Sequence, residues 1–276
     1  MTLIHDFETL QKALAKQAGD GKTIALVPTM GALHAGHGSL ISKAQEIADF
    51  VVVSIFVNPA QFGKNEDFSS YPRTLEADVK FASAQGADVI YAPDADDVYP
   101  EGFSTSVSAG KISTILCGKF RPGHFDGVAT IVTKLLLRTM PHIAIFGIKD
   151  YQQLCVIERV TQDLDIPVEI VPVATMREDD GLALSSRNAY LSASERETAP
   201  FLYETLNNVA REIKYSGVSE ALAKGTADLT AKGFKVDYLE LCDATTLEPL
   251  QKPQEDARLL AAAWLGKTRL IDNIAI

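Results

Sequence analysis

Apolar and polar positions alternate along this chain in blocks that predict a parallel α/β sheet. The runs Thr23-Ile24-Ala25-Leu26-Val27 and Val51-Val52-Val53-Ser54-Ile55-Phe56-Val57 are short, β-branched and continuous, as buried strands are. Between them Leu40, Ile41, Ala44, Ile47 and Ala48 recur at helical spacing. Strand, turn, helix, strand is a parallel crossover, and its turn from Pro28 to His37 falls at a strand's carboxyl end, where open α/β sheets bind ligands. The alternation continues with a helix over 1–22 carrying Phe7, Leu10, Ala13 and Leu14 on one face. Another follows Thr74 as its cap, with Leu75, Val79 and Ala82 inward, and a third covers 128–137. Strands are expected over 88–92, 142–146 and 168–173, and a short strand and turn within 103–120. From Ser192 the pattern changes. Ser192-x-x-Glu195 is a capping box opening a helix through Lys214; a second helix covers 219–232, and strands follow over 235–242, 258–264 and 268–274. Helices followed by consecutive strands predict a separate, smaller α+β domain over 177–276, after an α/β domain over 1–176.

Composition narrows the partners. The chain has 276 residues, 46% apolar and 22% charged, with a net charge of −10. A nucleic-acid binder needs a basic stripe, so that class of partner is not expected. Cys117, Cys155 and Cys242 are odd in number and spaced neither as metal ligands nor as a redox pair, and buried thiols of a reducing, cytoplasmic compartment are expected. No apolar run reaches the roughly 18 residues of a membrane span, and the start MTLIHDF lacks a signal-peptide layout. Gly21-Lys22-Thr23 and Gly266-Lys267-Thr268 fail as phosphate loops, because Lys16 and Ala261 stand where the first glycine is required.

The candidate chemistry lies where strands end. His34-Ala35-Gly36-His37 opens a helix, whose free N–H groups and dipole attract anions, and imidazoles can donate hydrogen bonds to phosphate oxygens. Gly31 and Gly36 let backbone approach a bulky anion. After the second strand, Asn58-Pro59-Ala60-Gln61 offers neutral groups for a small polar substrate, followed by a polar flap or surface loop over 64–73. Asp94-Ala95-Asp96-Asp97 reads as a solvated acidic loop. The stretch Gly147-Ile148-Lys149-Asp150 repeats strand, glycine, charged group, helix, with Lys149 along nucleotide phosphates. The loop from Met176 to Asn188, holding Leu184-Ser185-Ser186-Arg187, has the hydroxyls and guanidinium of an anion clamp.

These blocks carry a resemblance. The His-x-Gly-His turn resembles the signature of the adenylyl-transferring superfamily that includes class I aminoacyl-tRNA synthetases. The strings PTMGALHAGH, VNPAQFG, RPGHFDGVATIV, FGIKDYQQ and LSSRN, in that order over residues 28–188, resemble the pantothenate synthetase family. Asp126 departs from the commoner arginine and Leu184 from the commoner methionine. The resemblance implies a Rossmann-like N-terminal domain and ATP-dependent joining of pantoate to β-alanine through a pantoyl-adenylate, releasing AMP and pyrophosphate. It assigns ATP to Met30, Gly31, Ala32, Leu33, His34, Ala35, Gly36, His37, Gly147, Ile148, Lys149, Asp150, Met176, Leu184, Ser185, Ser186 and Arg187. His37, His34 and Lys149 are the catalytic candidates, with His37 either a proton donor or an electrostatic donor to the phosphates. Gln61 and Gln153 are assigned to pantoate, and Ile131 or Val132 to its methyls. Mg²⁺ is expected on phosphate oxygens with no protein ligand set, although Asp78 sits where relatives place a carboxylate near metal-bound phosphates. A homodimer is implied as well. The rival readings are a nucleotidyltransferase that keeps its nucleotidyl product and a nucleotide-sensing module that makes no pyrophosphate.

Overall fold

The computed structural model describes residues 1–64 and 66–276, which divide into two units. The first comprises residues 1–148 and 156–174, and the second 149–155 and 175–276.

In chain order the first unit carries β1 (Thr2–Ile4), α1 (Phe7–Gly19), β2 (Ile24–Thr29), α2 (Ala35–Ile47), β3 (Phe50–Ile55), α3 (Leu75–Ala84), β4 (Val89–Tyr91), α4 (Ala95–Val98), α5 (Cys117–Phe120), α6 (His124–Thr139) and β5 (Ile143–Gly147). Helix α7 (Tyr151–Asp163) begins in the second unit and ends in the first, followed by β6 (Glu169–Val173). The six strands form one parallel sheet in the order β1-β4-β3-β2-β5-β6. Val27, Val51, Val53, Ile90 and Ile145 pack on Leu40, Ile41 and Ala44 of α2 and Ala82 of α3, the dry core that the apolar runs predict. From β2 the chain proceeds outward through β3 to β4, then returns to place β5 on the other side of β2. The switch point therefore lies between β2 and β5, at their carboxyl ends.

The second unit contains α8 (Ala193–Thr198), α9 (Phe201–Ser216), α10 (Val218–Ala231) and an antiparallel sheet β7 (Phe234–Asp243), β8 (Ala257–Leu265), β9 (Thr268–Ala275). Leu202, Leu206, Val209 and Ile213 of α9 and Leu229 of α10 bury one face of that sheet through Leu239, Leu241, Leu259 and Leu270.

Several boundaries differ from expectation, each for a local reason. Residues 1–22 are not one helix: Thr2–Ile4 pair with Val89–Tyr91 at the sheet edge, and Asp6 caps α1 by accepting from the Thr9 N–H at 2.8 Å. The helix expected through Lys214 breaks at Pro200, which offers no N–H to the preceding turn. No strand forms among residues 103–120; the Val107 N–H is taken by the Thr130 hydroxyl at 2.9 Å, and a 3-10 turn and α5 follow. Helix α6 starts at His124 rather than Val128, directly after Gly123 in the left-handed region at φ 81°. The acidic stretch at 94–97 is the start of a short helix rather than a loop: Asp94 and Asp96 are exposed as expected, but Asp97 pairs with Arg138 and accepts from the Tyr91 hydroxyl at 2.8 Å. Within the loop over 64–73, of which Asn65 lies outside the described residues, Phe62 meets Phe68 and Tyr71, and Arg73 stacks on Phe68. It is a surface loop, one of the two forms expected, anchored by buried Tyr71.

Candidate active site

Strand β2 ends in a tight turn. Gly31 and Ala32 both take positive φ, 81° and 51°, and for alanine that backbone costs roughly 1–2 kcal/mol. Asp78, buried on α3, offsets it. Its two oxygens accept from the Ala32 N–H at 3.0 Å and the Leu33 N–H at 2.7 Å, and the Thr74 hydroxyl adds a third donor at 3.1 Å. Thr29 Oγ1 receives the Gly31 N–H at 3.2 Å and donates to the Ser54 carbonyl at 2.7 Å, tying the turn to β3. Thr74 thus commits its hydroxyl to Asp78, and no side-chain bond caps α3.

The turn delivers two histidines to the N-terminus of α2. The Gly36 N–H donates to His34 Nδ1 at 3.1 Å, and the His34 N–H donates to His37 Nδ1 at 3.2 Å, a reciprocal capping box. The rings lie with centroids 4.2 Å apart. A nitrogen that accepts from a backbone amide cannot itself carry a proton, so each ring holds its proton on Nε2. The motif builds a pair of N–H donors beside the positive end of a helix whose first turn carries no acid.

Below this lies a web of forced polarity. Asn58, buried after β3, accepts the Ala60 N–H on Oδ1 at 3.2 Å and donates from Nδ2 to the Gly127 carbonyl at 3.1 Å. Those backbone partners fix which end of its amide is which. Nδ2 also donates to Gln61 Oε1 at 3.0 Å, so Gln61 presents its own NH₂ to Met30 Sδ at 3.0 Å. The Tyr99 hydroxyl donates to Asn58 Oδ1 at 2.7 Å, and burial pushes its pKa up to about 12. His124 Nδ1 donates to the Gln61 carbonyl at 2.8 Å, because its Nε2 must accept from Arg121 at 2.9 Å. Arg121 also forks onto Glu66 at 2.7 and 2.6 Å. Burial alone would raise the Glu66 carboxyl, but the Arg121 hydrogen bonds and charge hold it below the usual range.

At the neighbouring strand end, Gly147 closes β5 and Ile148, Lys149 and Asp150 form a 3-10 turn. Gly147 faces Leu40 of α2, so in the first unit the residues from Met30 to His37, Gln61 and Gly147 gather about the carboxyl ends of β2, β3 and β5. Ile131 and Val132 are buried in α6.

In the second unit, Lys149 Nζ lies 3.7 Å from Asp150, and Gln153 is half-buried on α7. Met176 and Leu184 close a small hairpin, the Leu184 N–H donating to the Met176 carbonyl at 3.0 Å. Arg177 pins that hairpin. It forks onto buried Asp272 of β9 at 2.6 and 2.8 Å, donates to the Gly181 carbonyl, and stacks on Tyr203 at 3.6 Å. Beyond it Ser185 caps the turn Ser186–Tyr190 by accepting the Arg187 N–H at 3.3 Å, and Asn188 donates to the Ala183 carbonyl. Among the described residues no group of three or more His, Cys, Asp or Glu is arranged to hold a metal ion. Asp78 keeps its oxygens on the turn.

Tyr99 and Arg177 carried no assignment from sequence, and His124 only that of a possible anion contact, with Arg121, ahead of a helix. Their roles arise from partners distant in the chain, and the one available signal was polar residues beside assigned ones, as with His124 in the block holding Ile131.

A family model described as Pantoate-beta-alanine ligase matches residues 2–275. Pantothenate synthetase of Rhodospirillum rubrum is 55% identical over 260 residues, 93% of this chain and 92% of that protein. The crystal structure of pantothenate synthetase from Thermus thermophilus superposes with a TM-score of 0.94 at 44% identity, covering 99% of each chain. That of the Francisella tularensis pantoate–β-alanine ligase, complexed with β-γ ATP and β-alanine, gives 0.84 at 36% identity, covering 100% of this chain and 97% of that one.

Proposed function

The chain belongs to the pantoate–β-alanine ligase family, and from that premise we propose that it joins pantoate to β-alanine at the expense of ATP. The observation that carries the reading is the histidine-capped N-terminus of α2 at the carboxyl end of β2, beside the switch point. A carboxylate is a poor acyl donor. The pantoate carboxylate oxygen attacks the α-phosphorus, forming a pantoyl-adenylate and expelling pyrophosphate. The amine of β-alanine then attacks the activated carbonyl, the C–O bond breaks, and AMP leaves as the amine loses a proton. No protein nucleophile is required; positioning and charge stabilisation carry the rate.

His34, His37, Lys149, Ser185, Ser186 and Arg187 are proposed to donate to the triphosphate, and the backbone of 30–36, 147–150, Met176 and Leu184 to line the nucleotide. Gln61 and Gln153 hold pantoate. The NH₂ end that Gln61 presents to Met30 Sδ, a weak acceptor, suits a carboxylate or hydroxyl oxygen. Mg²⁺ is proposed to enter with the nucleotide, where it would neutralise phosphate charge. Three free, buried cysteines agree with a reducing cytoplasm, and no described helix is long and apolar enough to cross a membrane. The homodimer is proposed from the family resemblance, and sedimentation of the purified protein tests it.

The deciding measurement is pantoate-dependent exchange of pyrophosphate into ATP. His37→Ala and Lys149→Ala should each lower it roughly 100-fold or more, the scale of losing one such donor. Oxygen-18 placed in the pantoate carboxylate should be recovered in AMP. Retention of a nucleotidyl product, or nucleotide binding without pyrophosphate chemistry, would replace this reading with a nucleotidyltransferase or a sensor.

A further inference from the structure

Strand β9 reads Leu270-Ile271-Asp272-Asn273-Ile274, two polar residues inside an apolar run. Both are buried, at 4% exposure each. Burying an amide and a carboxylate where aliphatic side chains would pack is unfavourable unless their hydrogen bonds are met. Asp272 is accounted for by the Arg177 fork that pins the Met176–Leu184 hairpin. Asn273 faces different partners. Its Nδ2 donates to the carbonyl of Lys149 at 3.0 Å, 124 residues away in sequence, while its Oδ1 accepts from Arg258 Nε at 2.7 Å. Arg258 in turn stacks its guanidinium 4.0 Å from the ring of Tyr151, and the Tyr151 hydroxyl donates to the Ala244 carbonyl at 3.0 Å.

We propose that Asn273 is a positioning residue that fixes the backbone of Lys149, so that a long, flexible ammonium is aimed from a fixed root. This rests on the reading of Lys149 as a phosphate contact. A lysine side chain has four rotors and no shape of its own, so its aim depends on where its Cα is held. The turn Ile148–Asp150 is short, and the Asn273 amide clamps it from the sheet while Arg258 orients that amide by occupying its oxygen. The sheet of the second unit thereby serves two assigned segments through adjacent residues, the hairpin through Asp272 and Lys149 through Asn273.

The test compares Asn273→Ala and Asn273→Asp, each alone and combined with Lys149→Ala, by pantoate-dependent ATP–pyrophosphate exchange and thermal midpoint. Asn273→Asp keeps an acceptor for Arg258, which protects the fold, but loses the N–H that holds the Lys149 carbonyl. Both single variants should lower kcat roughly 10- to 100-fold, the scale of a misplacement near 1 Å, with the KM for pantoate little changed. In the Lys149→Ala background neither should lower it further, since effects through one group do not add. Wild-type kcat in Asn273→Asp, or a full multiplicative loss on top of Lys149→Ala, overturns the proposal. If Lys149→Ala itself keeps wild-type exchange, the assignment of Lys149 falls and the proposal with it. A crippled Lys149→Ala beside normal Asn273 variants removes the positioning claim alone.

Discussion

Asp78 carries three donors on one carboxylate, two of them backbone N–H groups of a turn that includes an alanine at positive φ. An amide at that position keeps one acceptor oxygen and turns an NH₂ toward groups that also donate. Asp78→Asn should therefore destabilise the protein by about 1–3 kcal/mol, the cost of stranding a buried donor. Urea midpoints measure that loss, and exchange activity should fall with it because the turn delivers His34 and His37. From sequence Asp78 was one more acid on the first turns of a helix, placed near phosphates by resemblance alone. Its two backbone donors come from residues 45 and 46 positions away, which no local pattern encodes. The histidine pair was legible for the opposite reason. Its spacing and its place between a strand and a helix are local, so the turn could be read as an anion site, whereas the reciprocal capping by the two rings was not read from sequence.

Elements were legible where their signal was strong and repeated. The runs that became β2, β3 and β5 are apolar on both faces, and the capping box of α8 lies at Ser192 and Glu195 as read. What escaped were elements fixed by single residues or by distant pairing: the three-residue edge strand β1, the break at Pro200, and the start of α6 at Gly123. Helix α6 matters most, since it carries the floor of the polar web. A Cβ on Gly127 would lie 2.3 Å from the Ala60 carbonyl oxygen and 2.7 Å from the Gln61 Cα, both backbone atoms that cannot swing aside. Gly127→Ala should push α6 away from the loop that holds Gln61, at an overpacking cost of roughly 1–3 kcal/mol. Its signature would be a raised KM for pantoate at temperatures well below the melting midpoint.

For the molecule as a whole, acid sensitivity follows from its carboxylates. Glu66 and Asp97 are both subject to burial that would raise their pKa, yet each is held below the usual range, Glu66 by Arg121 and Asp97 by Tyr91 and Arg138. A depressed folded pKa gives stability that is complete above the unfolded value and lost as pH falls through the folded one. The urea midpoint should thus decline as pH drops below about 4, the ordinary carboxylate range. Glu66→Gln or Asp97→Asn should lower the midpoint at neutral pH and flatten that decline. A decline as steep as wild type in both variants would show that other acids govern it. The α/β class, the strand–turn–helix–strand crossover about the His-x-Gly-His turn and the small second sheet follow from hydrophobic periodicity, whereas the order of the strands and the polar pair inside β9 do not.

The path of the polypeptide has one more consequence. Residues 149–155 group with the second unit although 148 and 156 on either side group with the first, so the chain leaves the first unit in the turn Ile148–Asp150 and returns to it within α7. No one scission separates the halves. A truncation after Ala174 would carry away the Asn273 amide that holds the Lys149 carbonyl and the Arg258 guanidinium that lies on the Tyr151 ring, leaving each fragment with partners missing. The C-terminal segment is therefore not a detachable appendage, and shuffling it between relatives would require exchanging this seven-residue insert along with it.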